Sequence, residues 1–204
     1  NCKKYLTYHQ PEFYRFSEDS IKLSRFAVEK TKNMLIGENG LDLCAGCGVV
    51  GIEYYLYAKK KINFDFCEIQ KDFIPSFKKN IKELQKQFPL ARANLLNTSL
   101  LNLNKLNNFN KYHLILSNPP YFHRDHFRQS ENRQKQLCRS FDNFNHLFLL
   151  KLVCYLLNTN GVAFIALRFN NYFRESNLSI IDEMGKEYNI YKDYLPGASL
   201  VEIF

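Results

Sequence analysis

The segment from Asn39 to Gly51 constrains this chain more than any other. An apolar run from Asn39 to Cys44 reads as a strand and leads directly into Gly46-x-Gly48-x-x-Gly51. Apolar residues then resume at helical length from Val49 to Lys60. Gly46 and Gly48 lack a Cβ, so the backbone there can turn sharply and approach a bound molecule closely. Gly51 permits tight packing of the helix on the sheet.

The rest of the chain repeats this alternation. Ile62 to Glu68 alternates apolar and polar residues, as a strand does. Gln70 to Phe88 has helical spacing, with Phe73, Phe77, Ile81 and Leu84 at steps of four, four and three. Lys71, Lys78, Lys79, Lys82 and Lys86 fill its other, solvated face. Pro89 ends that helix. A third strand is expected within Ala91 to Leu96, a loop over the Asn-rich stretch from Asn102 to Asn110, and a fourth strand from Tyr112 to Ser117. Phe141 to Leu157 reads as a long helix with Asn160-Gly161 as its stop signal. Val162 to Leu167 is a further strand, and residues 188 to 204 read as two strands around Pro196-Gly197. Strands separated by helices specify an α/β fold with a doubly wound, mainly parallel sheet. Such sheets bind ligands beyond the carboxyl ends of their strands.

Composition sets the outer limits. A chain of 204 residues with 46% hydrophobic and 24% charged content suits a single domain over 1–204 and excludes a disordered polyelectrolyte. No apolar run approaches the roughly 18 residues needed to span a bilayer, since Lys151 interrupts Leu147 to Leu157. The polar stretch from Asn1 to Tyr14 has no signal-peptide pattern, and the six Cys read as reduced thiols, so the expected location is cytoplasmic. The net charge of +8 fits either simple solubility or a polyanionic partner such as RNA.

The glycine loop alone serves dinucleotides and other adenosine ligands equally. Two carboxylates narrow the choice. Glu68, 17 residues after Gly51, ends the next strand, where it can accept hydrogen bonds from both hydroxyls of a ribose. Asp42, just before the loop, would repel a pyrophosphate but suits the α-ammonium group of S-adenosylmethionine. Cys44-x-x-Cys47 is spent on the loop and has no second pair, and His123 and His126 are too sparse for a metal site, so no metal is expected.

Asn118-Pro119-Pro120-Tyr121 follows the fourth strand. The prolines fix the backbone and remove two N–H donors, leaving the carbonyls of Asn118 and Pro119 as acceptors. Asn118 adds a side-chain oxygen and Tyr121 a flat apolar face. Two such acceptors suit a planar amino group whose nitrogen lone pair is delocalised. Gripping both N–H hydrogens localises the lone pair and aims it at an electrophile, by positioning and electrostatic stabilisation.

Asp42-x-x-x-Gly46-x-Gly48, Glu68 and Asn118-Pro119-Pro120-Tyr121 together resemble the class I S-adenosylmethionine-dependent amino-group methyltransferases. The stretch from Gln10 to Ser20 resembles the motif preceding the glycine loop in bacterial tRNA adenine-N6 methyltransferases of the tRNA1(Val) type. The resemblance covers roughly residues 8 to 168. It implies a Rossmann-like, seven-stranded sheet with an antiparallel last strand, and S-adenosyl-L-methionine as cofactor. Residues 1–35 would cover that cofactor, with Tyr14, Arg15, Phe16 and Asp19 at the matching positions. The implied reaction is methylation of the exocyclic amino group of adenine in RNA, tRNA above all. The family usually has an acidic residue at the end of the third strand. Here 94–99 has none, leaving Asn97 to meet the amino edge of the cofactor's adenine. His113 stands where Asp is common and reads as a strand-surface residue.

The segment from Phe122 to Arg139 is basic and would rim the pocket. Arg124 and Arg128 could hold phosphates while Phe122 offers a stacking face, and a solvated loop is the alternative. Two other functions share these motifs: a protein glutamine N5-methyltransferase, and a non-catalytic RNA-binding module of the same fold. The roughly 40 residues before the glycine loop are few for the helical partner-binding domain of the first. The intact Gly46, Gly48, Glu68 and Asn118 oppose the second.

Overall fold

A computed structural model describes residues 6–58, 60, 62–103, 109–120, 122–123, 140–141, 146–170, 173–196 and 198–204. In chain order these form α1 (Glu18–Thr31), β1 (Asn39–Leu43), α2 (Val49–Ala58), β2 (Asn63–Cys67), α3 (Ile74–Gln87), β3 (Ala93–Leu96), the single turn α4 (Leu100–Leu103), and β4 (Tyr112–Ser117). Next come β5 (Phe122–His123), β6 (Ser140–Phe141), α5 (His146–Leu156), β7 (Leu157–Leu167), the short α6 (Ser179–Glu183), β8 (Tyr188–Leu195) and β9 (Ala198–Ile203).

Seven strands form one sheet in the order β3-β2-β1-β4-β7-β9-β8. Pairings from β3 through β7 are parallel, and β9 runs antiparallel to both β7 and β8. The doubly wound sheet with an antiparallel last strand is therefore present. Because β1 and β4 are neighbours, with Leu43 opposite Ser117, the glycine loop and Asn118 leave the sheet side by side.

The core lies on both faces of the sheet, as period-two alternation requires. Leu41, Leu43, Ile115, Ala163 and Ile165 pack under α5 with Leu149, Leu150 and Val153. Phe64, Phe66, Leu114, Leu116 and Phe164 face the other way, against Leu23 and Phe26 of α1, Ile52 of α2 and Phe77 and Leu84 of α3. Each Leu, Ile or Phe side chain fully buried in this way contributes about 1.5–3 kcal/mol relative to exposure. Asp42 alternates with Leu41 and Leu43, which turns its side chain to the α2 face.

Helix α1 had no reading from the sequence, and its composition explains why. Its buried face includes Ser20, Ser24, Ala27 and Thr31, small residues that blur the apolar stripe. They permit close packing on α2, where the Ser24 hydroxyl donates to the Val50 carbonyl at 2.9 Å. Glu18 and Asp19 in the first turn complement the helix dipole.

Three boundaries differ from expectation. The long helix begins at His146, because Phe141 is instead paired with His123 in the β5–β6 ladder. It ends at Leu156, and Asn160-Gly161 lies within β7, where the register against β4 slips between Tyr112 and Leu114. The glycine serves an irregular strand, not a helix stop. The first two residues of the Asn-rich stretch belong to the turn of α4, where Leu103 is fully buried, and residues 104–108 of the expected loop lie outside the described residues.

Candidate active site

The glycine loop is built on three residues with positive φ: Cys44 at 58°, Gly46 at 55° and Gly48 at 84°. Cys44 adopts a left-handed conformation that side chains usually avoid. The turn closes with Gly48 N–H donating to the Ala45 carbonyl at 2.8 Å, and Ile52 N–H to Gly48 at 3.0 Å starts α2. Ala45 N–H donates to the Cys67 carbonyl at 3.0 Å, fastening the loop to the end of β2.

Both expected carboxylates lie against this loop. Glu68 is buried, and its Oε2 accepts from Gly46 N–H at 2.8 Å while Oε1 accepts from Gln70 N–H at 2.8 Å. Burial pushes its carboxyl upward from the usual value, and the backbone donors Gln70, Gly46 and Ile69 oppose the rise. Asp42 is 0% exposed. Its Oδ2 accepts from Gly51 N–H at 2.8 Å, and Oδ1 has no partner among the described residues. Burial pushes this carboxyl up to about 7; the Gly51 hydrogen bond lowers it and the nearby Glu68 raises it further. A buried acceptor without a donor costs about 1–3 kcal/mol. Two carboxylates under one loop form a site that a cationic ligand stabilises and a pyrophosphate does not.

Asn97 is exposed, and its Nδ2 donates to the carbonyls of Glu68 at 2.8 Å and Ile69 at 3.3 Å. The side chain thus ties β3 to the end of β2. Between them, Ile69 is 62% exposed, an apolar face at the carboxyl edge of the sheet. Sequence reasoning passed over Ile69. An isoleucine directly after the strand-end Glu68 was the available signal.

Residues 6–17 cross the same edge as a strap. Tyr8 OH donates to Glu53 of α2 at 2.8 Å. Asn80 of α3, fully buried, holds the strap and the loop together. Its Oδ1 accepts from His9 N–H at 2.7 Å, and its Nδ2 donates to the carbonyls of His9 at 3.0 Å and Cys47 at 2.9 Å. Tyr14 packs edge-on against Phe73, with ring centroids 5.1 Å apart, and Phe16 packs on Tyr8. Phe16 N–H also donates to Gln10 Oε1 at 2.9 Å. Arg15 is exposed and donates to the carbonyls of Pro11 and Tyr14, while Asp19 is buried in the first turn of α1.

Asn118 lies beyond β4, where its Nδ2 donates to the Ser20 hydroxyl of α1 at 2.9 Å. Pro119 is buried and Pro120 half-buried. Tyr121, Arg124 and Arg128, and the side chain of Phe122, lie outside the described residues. The carboxyl edge therefore gathers Gly46, Gly48, Asp42, Glu68, Asn97, Asn118 and the strap. No helix among the described residues is long and apolar enough to cross a membrane.

Residues 2–139 match the family model described as conserved hypothetical protein 95. No curated protein matches the sequence. Solved structures share the fold at low identity. An O-methyltransferase family protein from Burkholderia thailandensis has a TM-score of 0.60 at 10% identity, covering 91% of this chain and 57% of its own length. A Pyrococcus horikoshii protein described as a candidate RNA methyltransferase has a TM-score of 0.58 at 13% identity, covering 93% of this chain and 85% of its own. A SAM-dependent methyltransferase from Agrobacterium tumefaciens has a TM-score of 0.60 at 14% identity, covering 93% of this chain and 62% of its own. These likenesses establish the fold alone and leave the substrate to the site itself.

Proposed function

The chain belongs to the family described as conserved hypothetical protein 95, and from its site we propose that it is an S-adenosylmethionine-dependent N-methyltransferase acting on the exocyclic amino group of adenine in RNA, most of all tRNA. The observation that carries this reading is the position of Asn118-Pro119-Pro120 at the end of β4, beside the glycine loop that follows β1. The residues fit the methyl donor. Gly46 and Gly48 admit its close approach, and Glu68, which accepts from Gly46, Gln70 and Ile69 N–H, keeps one of its roughly four acceptor sites for a ribose hydroxyl. Asp42 Oδ1, without a partner among the described residues, makes the loop floor favourable to a cationic amino-acid end. Ile69 and Asn97 flank the place where its adenine would lie. Tyr14, Arg15 and Phe16 belong to the strap that would cover it, and Asp19 follows in the first turn of α1.

When bound, the donor supplies a methyl group on a positively charged sulfur. The chain's own residues do the rest. The Asn118 amide oxygen and the Pro119 carbonyl accept the two amino hydrogens of the target, and no proline N–H competes for them. The nitrogen lone pair localises and is held in line for attack, and a proton leaves once the nitrogen has become cationic. Stacking on Tyr121 would contribute about 1–3 kcal/mol. An adenine in a stacked RNA loop must first be flipped out to reach Asn118, and Phe122, Arg124 and Arg128 are the proposed RNA contacts.

Incubation with labelled methyl donor and either total RNA or total protein, followed by digestion, tests the assignment. The expected product is N6-methyladenosine. Methylglutamine would transfer the same site to a protein amide, and no labelled product from either pool would refute the enzymatic reading.

A further inference from the structure

Asn118 cannot orient itself. The terminal torsion of an asparagine is broad and two-fold, and a flip exchanges its acceptor oxygen for a donor nitrogen. In the flipped state two donors would confront the amino hydrogens of a target. The structure supplies a partner from a distant part of the chain. Ser20, the third residue of α1, is 3% exposed, and its hydroxyl accepts from Asn118 Nδ2 at 2.9 Å. The two residues are 98 positions apart. The Ser20 backbone is itself held, its N–H donating to the Ser17 carbonyl at 3.2 Å in the first turn of α1.

From this contact we infer that Ser20 is a positioning residue, which holds the Asn118 amide with its nitrogen toward α1 and its oxygen toward the reacting amino group. The role deepens the reading above and rests on it: in it Ser20 acts through Asn118. It also gives α1 a task in the chemistry. Residues 8–17 strap the loop, and the helix that follows delivers the hydroxyl that sets the amide. A hydroxyl can donate as well as accept, so the orientation of the amide is the quantity to measure.

The first readout needs no substrate. The side-chain amide of Asn118, observed by 15N NMR in the full-length protein, is expected to show one slowly exchanging proton in the wild type. That protection should be lost and the resonance shifted in Ser20→Ala. An Asn118 amide that exchanges fast in the wild type, or is unmoved in Ser20→Ala, overturns the inference. The second readout is turnover at saturating methyl donor on the same RNA pool. Ser20→Ala should lose about 10- to 100-fold in rate, the scale of a small misplacement of reacting groups. Donor affinity should stay within about two-fold of wild type, and Ser20→Thr should recover most of the rate. Ser20→Cys, close in volume but a weak acceptor, replaces the alanine variant if that one fails to fold. An unchanged rate in a folded Ala or Cys variant overturns the role. A wild type that methylates neither RNA nor protein sinks the proposed reaction, and the NMR result then still decides whether Ser20 sets the amide.

Discussion

Replacing Asp42 by asparagine isolates the charge of a carboxylate buried beneath the glycine loop. Asparagine keeps an oxygen for Gly51 N–H and loses the ionisable group. In the native chain burial pushes the carboxyl up to about 7, from a usual value of 3.8. Between those two values the folded chain holds a proton that the unfolded chain has released. Stability therefore falls as pH rises through this window. The contribution of the neutral group is complete below the usual carboxylate value and is gone above neutrality. Roughly three pKa units at about 1.4 kcal/mol each give about 4 kcal/mol. The Asn variant has no such loss, whatever fixed cost its unpartnered amide nitrogen brings. The difference in unfolding free energy, variant minus wild type, should thus grow by about 4 kcal/mol between pH 4 and pH 8. Urea unfolding followed by far-UV circular dichroism reads it directly, since the chain has no Trp. Parallel pH profiles for the two proteins would refute the reasoning, because they would mean that the buried Asp42 ionises as it does in water.

Asn118→Ala should abolish methyl transfer while donor affinity, measured by calorimetry, stays within a few-fold; loss of donor binding would make Asn118 a residue of the fold. Asn80→Ala should cost about 1–3 kcal/mol, because it strips buried partners from the backbone of His9 and from the Cys47 carbonyl. It should also open the strap to tryptic cleavage at Arg15, and unchanged cleavage kinetics would show that the clip is not what holds residues 6–17. Charge reversal at Arg124 and Arg128 should weaken RNA binding and flatten its dependence on salt; an unaltered slope would remove both from the RNA footprint.

Each element that was legible had a regular local signal. The alternation in Ile62 to Glu68 and the steps of Phe73, Phe77, Ile81 and Leu84 predicted β2 and α3 because burial on one face imposes a period. Helix α1 escaped because its buried face carries Ser20, Ser24 and Thr31, polar residues satisfied by local or tertiary hydrogen bonds. Asn160-Gly161 misled because its dipeptide suits a helix stop and an irregular strand equally. Asn97 was legible as a residue near the end of β3, yet its donor is committed to Glu68 and Ile69, which only the fold discloses.

The division has one physical cause. Short-range order, such as the left-handed turn at Gly46 and Gly48 or the donor-free backbone of Pro119 and Pro120, is a property of residues next to one another, and the chain alone determines it. Hydrogen bonds across the fold have no such signature, because any buried serine or asparagine can donate or accept. Only packing decided that Asn118 meets Ser20, that Asn80 joins the strap to the glycine loop, and that one oxygen of the buried Asp42 has no donor among the described residues.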